Sequence, residues 1–401
     1  MEQNKKDDRN LAELAKLFLK LGLIAFGGPA AHIAMMEDEV VTKRKWMTHQ
    51  HFLDLIGATN LIPGPNSTEM AIHTGYQKAG ALGLIIAGSC FIFPAVILTG
   101  FLAYFYKLYG NLPEIKPFLY GIKPAVIIII LNAVYKLSTK AVWVSPAKGT
   151  SESDYGKRWK LISIAVIVAI INFSGVNEIF SILAGGIFGA LFIFLTMKKN
   201  LLNILLPLPI ISFFTAVNIF QGTEKNEINL TKLFLVFLKI GSILFGSGYV
   251  LIAYLNGELV QGLYWLTRQQ LLDAIAIGQF TPGPVLSTAT FIGFQLAGIS
   301  GAILATIGIF LPSFIFVLIV NPVVPKLRNS KIFSVFLDAV NASALAIMFV
   351  VAVKLGAEVL VNWQSIFIAV LSAATFFYFK KINSAYVVLG GAIAGYLLNL
   401  F

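Results

Sequence analysis

The sequence predicts an all-α polytopic membrane protein made of two related halves, and three observations predict it. Apolar runs of about 17–25 residues, the length that crosses a hydrocarbon core of about 30 Å, recur along the whole chain. Of 401 residues 57% are hydrophobic and only 12% charged, which excludes an ordinary cytosolic globule. The chain also reads nearly the same twice, and each copy carries a Pro-Gly-Pro triplet inside an apolar run.

The repeat sets the order of the elements. KLFLKLGLIAFGGPAAHIA from Lys16 returns as KLFLVFLKIGSILFGSGYVLIA from Lys232. At an offset of 219, Lys20, Glu39, Trp46, Asp54 and Pro63-Gly64-Pro65 fall on Lys239, Glu258, Trp265, Asp273 and Pro282-Gly283-Pro284. One residue is then lost, and Gly75, Gly83, Pro94 and Lys136 fall on Gly293, Gly301, Pro312 and Lys354. The apolar runs predict about six crossings in the first half: Leu11–Met35, His51–Lys78, Ala81–Lys107, Phe118–Leu137, Leu161–Phe173 and Glu178–Met197; the alternative, a re-entrant hairpin at His51–Lys78, would put the most basic loop on the other side from the N-terminus. The second half runs Leu233–Tyr254, Gln270–Gln295, Gly298–Val320, Ile332–Val353, Ser365–Phe379 and Ser384–Phe401. One unmatched run, Leu201–Phe220, reads as a linker helix, so residues 1–198 and 231–401 are the repeats and 199–230 joins them. An even repeat followed by one linker helix inverts the second copy, the plan of many secondary transporters.

Charge orients this plan. Thirty Lys and Arg against 19 Asp and Glu leave a net +11, which in a membrane chain marks the cytoplasmic loops rather than a nucleic-acid surface. With the N-terminus inside, the loop from Lys140 to Lys160 and the pairs Lys198-Lys199 and Lys380-Lys381 are cytoplasmic, while Lys43, Arg44 and Lys45 lie opposite. Cys90 stands alone, no Cys/His cluster suggests a metal or cofactor, and no cleaved signal peptide is visible.

A crossing element with Pro-Gly-Pro at its centre cannot be one helix, because each proline removes a donor and clashes with the preceding turn. Pro65 and Pro284 suit the start of new half-helices, whose free N–H groups would be joined by Asn66, Ser67 and Thr68 in one half and Ser287 and Thr288 in the other. Such helix ends attract anions, and two of them meeting near mid-membrane suit a small oxyanion. Asn60, Gln279 and Thr281 flank the breaks, and Gly27, Gly28, Gly246 and Ser247 break the first helix of each half. Lys20 and Lys239 precede those glycines and are expected to lend positive charge to the path, with snorkelling to the interface as the alternative. Glu69 and His73, four residues apart on one helical face, are the candidate proton carriers and have no counterpart in the second half; a structural hydrogen bond between them is the alternative. Asp54 and Asp273 are expected to cap helix starts. No triad, paired carboxylates or phosphate loop points to an enzyme.

The stretches FGGPAAHIA, KRKWM, NLIPGPNSTEMAIHTGY and WLTRQQLLDAIAIGQFTPGPVLSTATFIGF resemble the signature regions of the chromate ion transporter family in its long, two-domain form. The resemblance implies an inner-membrane carrier that exports chromate, a divalent oxyanion similar to sulfate, by proton-motive force or anion exchange; a homodimer is left open. Where many relatives resemble QFLPGPASSQ, this chain has NLIPGPNSTE, which adds an acid that would repel a dianion if ionised. Sulfate or another oxyanion, a passive anion channel, and a membrane-embedded enzyme or scaffold are the competing readings.

Overall fold

The computed structural model of the chain describes residues 2–25, 28–59, 62–110, 112–143, 152–176, 178–196, 227–245, 248–320, 331–379 and 382–399. The regular structure among them is helical. Four of these helices are long and apolar enough to cross a membrane, Asn66–Tyr109, Lys116–Thr139, Val285–Ile319 and Val335–Val359. The expected linker helix Leu201–Phe220 lies outside the described residues.

The first elements are hairpins rather than crossings. Helix α1 (Glu2–Ile24) is followed by α2 (Pro29–Glu37), which runs into a π-helical turn, Asp38–Lys43. Lys20 Nζ lies 3.1 Å from Glu39 Oε1. Nineteen residues of one continuous helix would separate them by about 28 Å, so the chain reverses between α1 and α2. Helix α3 (His49–Thr59) leads to the first Pro-Gly-Pro, and α4 (Asn66–Tyr109) follows it. Ala79 (φ −147°) and Gly80 (φ 62°) fold α4 into two arms, 66–78 and 81–109. A Cβ on either Gly75 or Gly83 would strike the other's carbonyl oxygen, a closeness only antiparallel arms allow. The Lys78 ammonium is 4.7 Å from the Trp46 ring centroid, so the chain returns to the face where α3 began. Leu11–Met35 and His51–Lys78, expected to cross, therefore enter and turn back, because glycine and proline breaks permit full reversal. The arm 81–109, about 43 Å long, belongs to the first helix long and apolar enough to cross a membrane. Phe93, Ile97, Phe101 and Phe105 form an exposed apolar stripe along it, as a lipid-facing helix requires.

The second half repeats these details. Its helices are α8 (Leu230–Ile243), α9 (Leu251–Leu255), α10 (Arg268–Phe280) and α11 (Thr288–Val320). Lys239 pairs with Glu258 at 2.8 Å, and a π-helical turn spans Asn256–Gly262. Tyr264 takes a positive φ of 54°, as Lys45 does at 53°. Ala297 (φ −145°) and Gly298 (φ 63°) fold α11 as their counterparts fold α4. Leu233–Tyr254 and Gln270–Gln295 are thus also hairpins. Gln295 Nε2 donates to the Ala103 carbonyl (3.0 Å) and the Tyr106 hydroxyl donates to Asp273 (2.7 Å). These hairpin ends therefore sit at the far end of the 81–109 arm, whereas Lys78 sits at its near end.

The remaining helices are α5 (Lys116–Trp143), α6 (Glu152–Phe173), α7 (Glu178–Thr196), α12 (Lys331–Val359), α13 (Trp363–Tyr378) and α14 (Ser384–Leu398). Helix α7 packs on α12 and α14 on α5, so each half lends its last helix to the other. Small residues allow the approach: a Cβ on Gly391 would lie 2.7 Å from the Gly121 carbonyl oxygen, and Gly185 abuts Ser343. The basic loop after α2 also differs from expectation. Arg44 Nε is 3.3 Å from Glu13 Oε1, which puts Lys43, Arg44 and Lys45 on the face where α1 begins, not opposite it.

Candidate functional site

The two Pro-Gly-Pro triplets occupy loops between helices. Helix α3 ends at Thr59 and α4 starts at Asn66; α10 ends at Phe280 and a 3₁₀ turn, Val285–Ser287, leads into α11. Pro65 (φ −82°, ψ 112°) and Pro284 (φ −70°, ψ 131°) are the extended N-cap residues of the new helical turns. Between the prolines, Gly64 (φ 141°) and Gly283 (φ 89°) adopt backbone that L residues rarely tolerate.

Each triplet docks on the opposite half. The Gly64 N–H donates to the Leu244 carbonyl (2.6 Å), and the Gly283 N–H donates to the Ala25 carbonyl (2.8 Å). Leu244 and Ala25 occupy equivalent positions, each just before a glycine break. The crossing arms complete the docking: a Cβ on Gly64 would lie 2.5 Å from Ser313 Oγ and one on Gly283 would lie 3.0 Å from the Ala95 methyl. Residues 95 and 313 are again repeat equivalents. Irregular backbone in an apolar setting needs such partners, because lipid supplies none.

Around these loops lies a buried polar set. Ser67, Thr68, Glu69 and His73 on the 66–78 arm are fully or almost fully buried, as are Ser287 and Thr288. Thr99 Oγ1 donates to Ser287 Oγ (3.2 Å), joining the two halves side chain to side chain. Thr288 donates to the Val285 carbonyl and Thr281 to the Gly278 carbonyl. Both Glu69 oxygens, Thr68 Oγ1, Ser313 Oγ and Gln279 Nε2 are buried without a hydrogen-bond partner among the described residues. Glu69 Oε1 and Ser313 Oγ converge over Gly64 from opposite halves, at the place a Cβ would take. Glu69 and His73 share a helical face, yet no hydrogen bond joins them. Folded proteins leave few such groups unsatisfied, and each one calls for an explanation.

Other sequence candidates fall elsewhere. Lys20 and Lys239 are expected on the anion path, but each is tied to a glutamate of its own half, and the Lys20 side chain is 56% exposed. Glu39 binds Lys20, Lys43 and Arg44; burial alone would raise its pKa, but these cations lower it from 4.5 to about 2. Asp273 does not cap: Thr267 is the N-cap of α10, in a capping box with Gln270, and Asp273 faces Tyr106 and Lys123 of the first half. Asp54 is likewise inside α3 and accepts from Gln50. Gly28 (φ 81°) approaches Tyr249 beside the other half's break. Gly27, Asn60, Gly246 and Ser247 lie outside the described residues. Thr99 and Ser313 went unforeseen, although each lies within five residues of the repeated proline pair Pro94 and Pro312. No group of three His, Cys, Asp or Glu among the described residues is arranged to hold a metal ion.

Comparison with known proteins extends this picture. A family described as chromate transporter matches residues 12–190 and 231–396. A probable chromate transport protein of Synechococcus elongatus is 32% identical over 393 residues, covering 96% of this chain and 95% of its own. Chromate transport proteins of Cupriavidus metallidurans and Pseudomonas aeruginosa are 29% and 28% identical, each alignment covering 96% of this chain and 92% of the relative. No solved structure matches the chain.

Proposed function

The chain belongs to the chromate transporter family, and from that premise we propose that it is a secondary carrier of chromate or a closely similar tetrahedral oxyanion, bound between the two Pro-Gly-Pro loops. The reciprocal docking of those loops is the observation that carries the reading. Two helical turns, starting at Asn66 and Val285, begin from equivalent loops of opposite halves and aim partial positive charge and free N–H groups at one region. Ser67, Thr68, Ser287, Thr288, Gln279 and Ser313 add neutral donors suited to an oxyanion.

The halves are inverted repeats in this reading. Support comes from the 81–109 arm, which receives the first half's hairpins at one end and the second half's at the other. Alternating access is then a rocking of the hairpin units against α5–α7 and α12–α14, with the loops as the fixed centre. Residues 1–198 and 231–401 are the two units. The face that holds the start of α1, Arg44 and Lys78 is cytoplasmic, since under this topology it gathers most of the thirty Lys and Arg. The membrane is the plasma membrane.

Glu69 carries the coupling proton. Its buried carboxyl group has no protein donor, so an ionised form would be costly and would repel a dianion in the adjacent loop. Protonation accompanies substrate, and His73 one turn on relays the proton. The test is uptake of labelled chromate, sulfate and molybdate by proteoliposomes, with and without a pH gradient. Saturable chromate flux that follows the gradient in the wild type and ignores it in Glu69→Gln is expected. Flux no greater than in empty liposomes would sink the carrier, and unchanged pH dependence in the variant would remove Glu69 as the coupling group.

A further inference from the structure

A cavity of about 560 Å³ opens at the far end of the 81–109 arm, where the first half's α4 and α5 meet the second half's α10. Its charge is lopsided. Among its lining residues Glu358 is paired with Arg268, and Asp273 with Lys123 at 3.4 Å. Lys107 and Lys116 remain, both exposed; Lys107 lies 5.9 Å from the Phe294 ring, and no carboxylate partner holds either one among the described residues. The cavity therefore presents two positive charges without a carboxylate partner and a third, Lys123, shared between Asp273 and the side-chain oxygen of Gln269.

The floor of the cavity points toward the loops. Tyr106 and Thr99 are seven residues apart on the same arm, hence on one face and about 10 Å apart in height. Tyr106 and Asp273 close the floor between the halves, Gln295 bonds to Ala103 just below, and Thr99 meets Ser287 one turn deeper. An anion that drew Lys123 off Asp273 would loosen that floor on its way inward.

We propose that this cavity is a second oxyanion site, an antechamber in which Lys107, Lys116 and Lys123 hold a divalent tetrahedral anion before it reaches the Pro-Gly-Pro loops. The assignment rests on the carrier reading above. It commits to the free anion rather than a phospholipid headgroup, because both halves wall the cavity and its floor leads to buried hydroxyls.

The experiment is equilibrium dialysis of the purified full-length protein in lipid-free detergent with labelled sulfate and labelled chromate, at low salt and at about 0.5 M salt. Two anions per chain are expected for the wild type, one for Lys107→Gln/Lys116→Gln, and two again for Lys107→Arg/Lys116→Arg. Both lysines are exposed, so folding is not at stake. In proteoliposomes the Gln pair should raise the half-saturating concentration about tenfold at low salt, an effect that fades as salt screens it. Unchanged stoichiometry and half-saturation in the Gln pair would overturn the antechamber while leaving the carrier intact. Binding of no anion by the wild type would overturn both. Displacement of the second anion by equimolar phosphatidylglycerol would reassign the cavity to a headgroup and also overturn the proposal.

Discussion

Gly64 shows how much one missing methyl group decides. Its positive φ costs an L residue about 1–2 kcal/mol, and its absent Cβ leaves room for Glu69 Oε1 and Ser313 Oγ to converge. Gly64→Ala should therefore lower the midpoint of chemical unfolding and abolish saturable chromate flux, both readable on the same purified sample. Glu39 makes a prediction about acid. Its folded pKa is depressed to about 2 from 4.5, so its stabilising effect is fully present above that ordinary value and is lost as pH falls from about 4.5 toward 2. Glu39→Gln should unfold more readily than the wild type at neutral pH, and the difference should shrink through that acid window. The same stability gap at pH 7 and pH 3 would show that the Lys20, Lys43 and Arg44 contacts contribute nothing through charge.

At the scale of elements, the sequence told where helices must break but not what the chain does at a break. Pro-Gly-Pro and the glycine pairs were legible because they forbid continuous helix. Reversal stood only as the alternative for His51–Lys78, since a 25-residue apolar run looks the same whether it crosses or enters and returns. The deciding contacts, Lys20 with Glu39 and Lys78 with Trp46, join residues 19 and 32 apart and exist only after folding. The ion pairs of Lys20 and Lys239 were hidden for the same reason, because a cation's partner across a hairpin leaves no local pattern. Pro65 and Pro284 supply the next test. Replacing either with Ala frees the backbone that presets the following turn, so oxyanion affinity should fall several-fold in each, and normal affinity in both would remove the paired helix starts as the site. Helix packing is separable from this: Gly391→Leu should weaken the α5–α14 contact by about 1–3 kcal/mol of overpacking, seen as a lower unfolding midpoint without altered half-saturation in the protein that remains folded.

The whole molecule is two halves that each finish the other. Helices α7 and α14 are exchanged, the triplets dock crosswise, and Thr99 touches Ser287 at the centre. If transport is a rocking of these parts, fixing them should stop it. In a Cys90→Ala background, Thr99→Cys/Ser287→Cys should oxidise readily, given the 3.2 Å between the native hydroxyls, and arrest flux until reductant is added. Full flux in the oxidised protein would mean that this contact does not move during the cycle.

The crosswise docking also has a consequence for how the protein is made. When residue 64 is added to the growing chain, the carbonyl that its N–H needs, that of Leu244, is still about 180 residues from being synthesised. The first half must then wait in the bilayer with its loop unfinished, and closure can come only late, across a long stretch of chain. A nascent chain halted before Leu244 should remain open to protease at residues 60–65, and one halted beyond the second Pro-Gly-Pro should not.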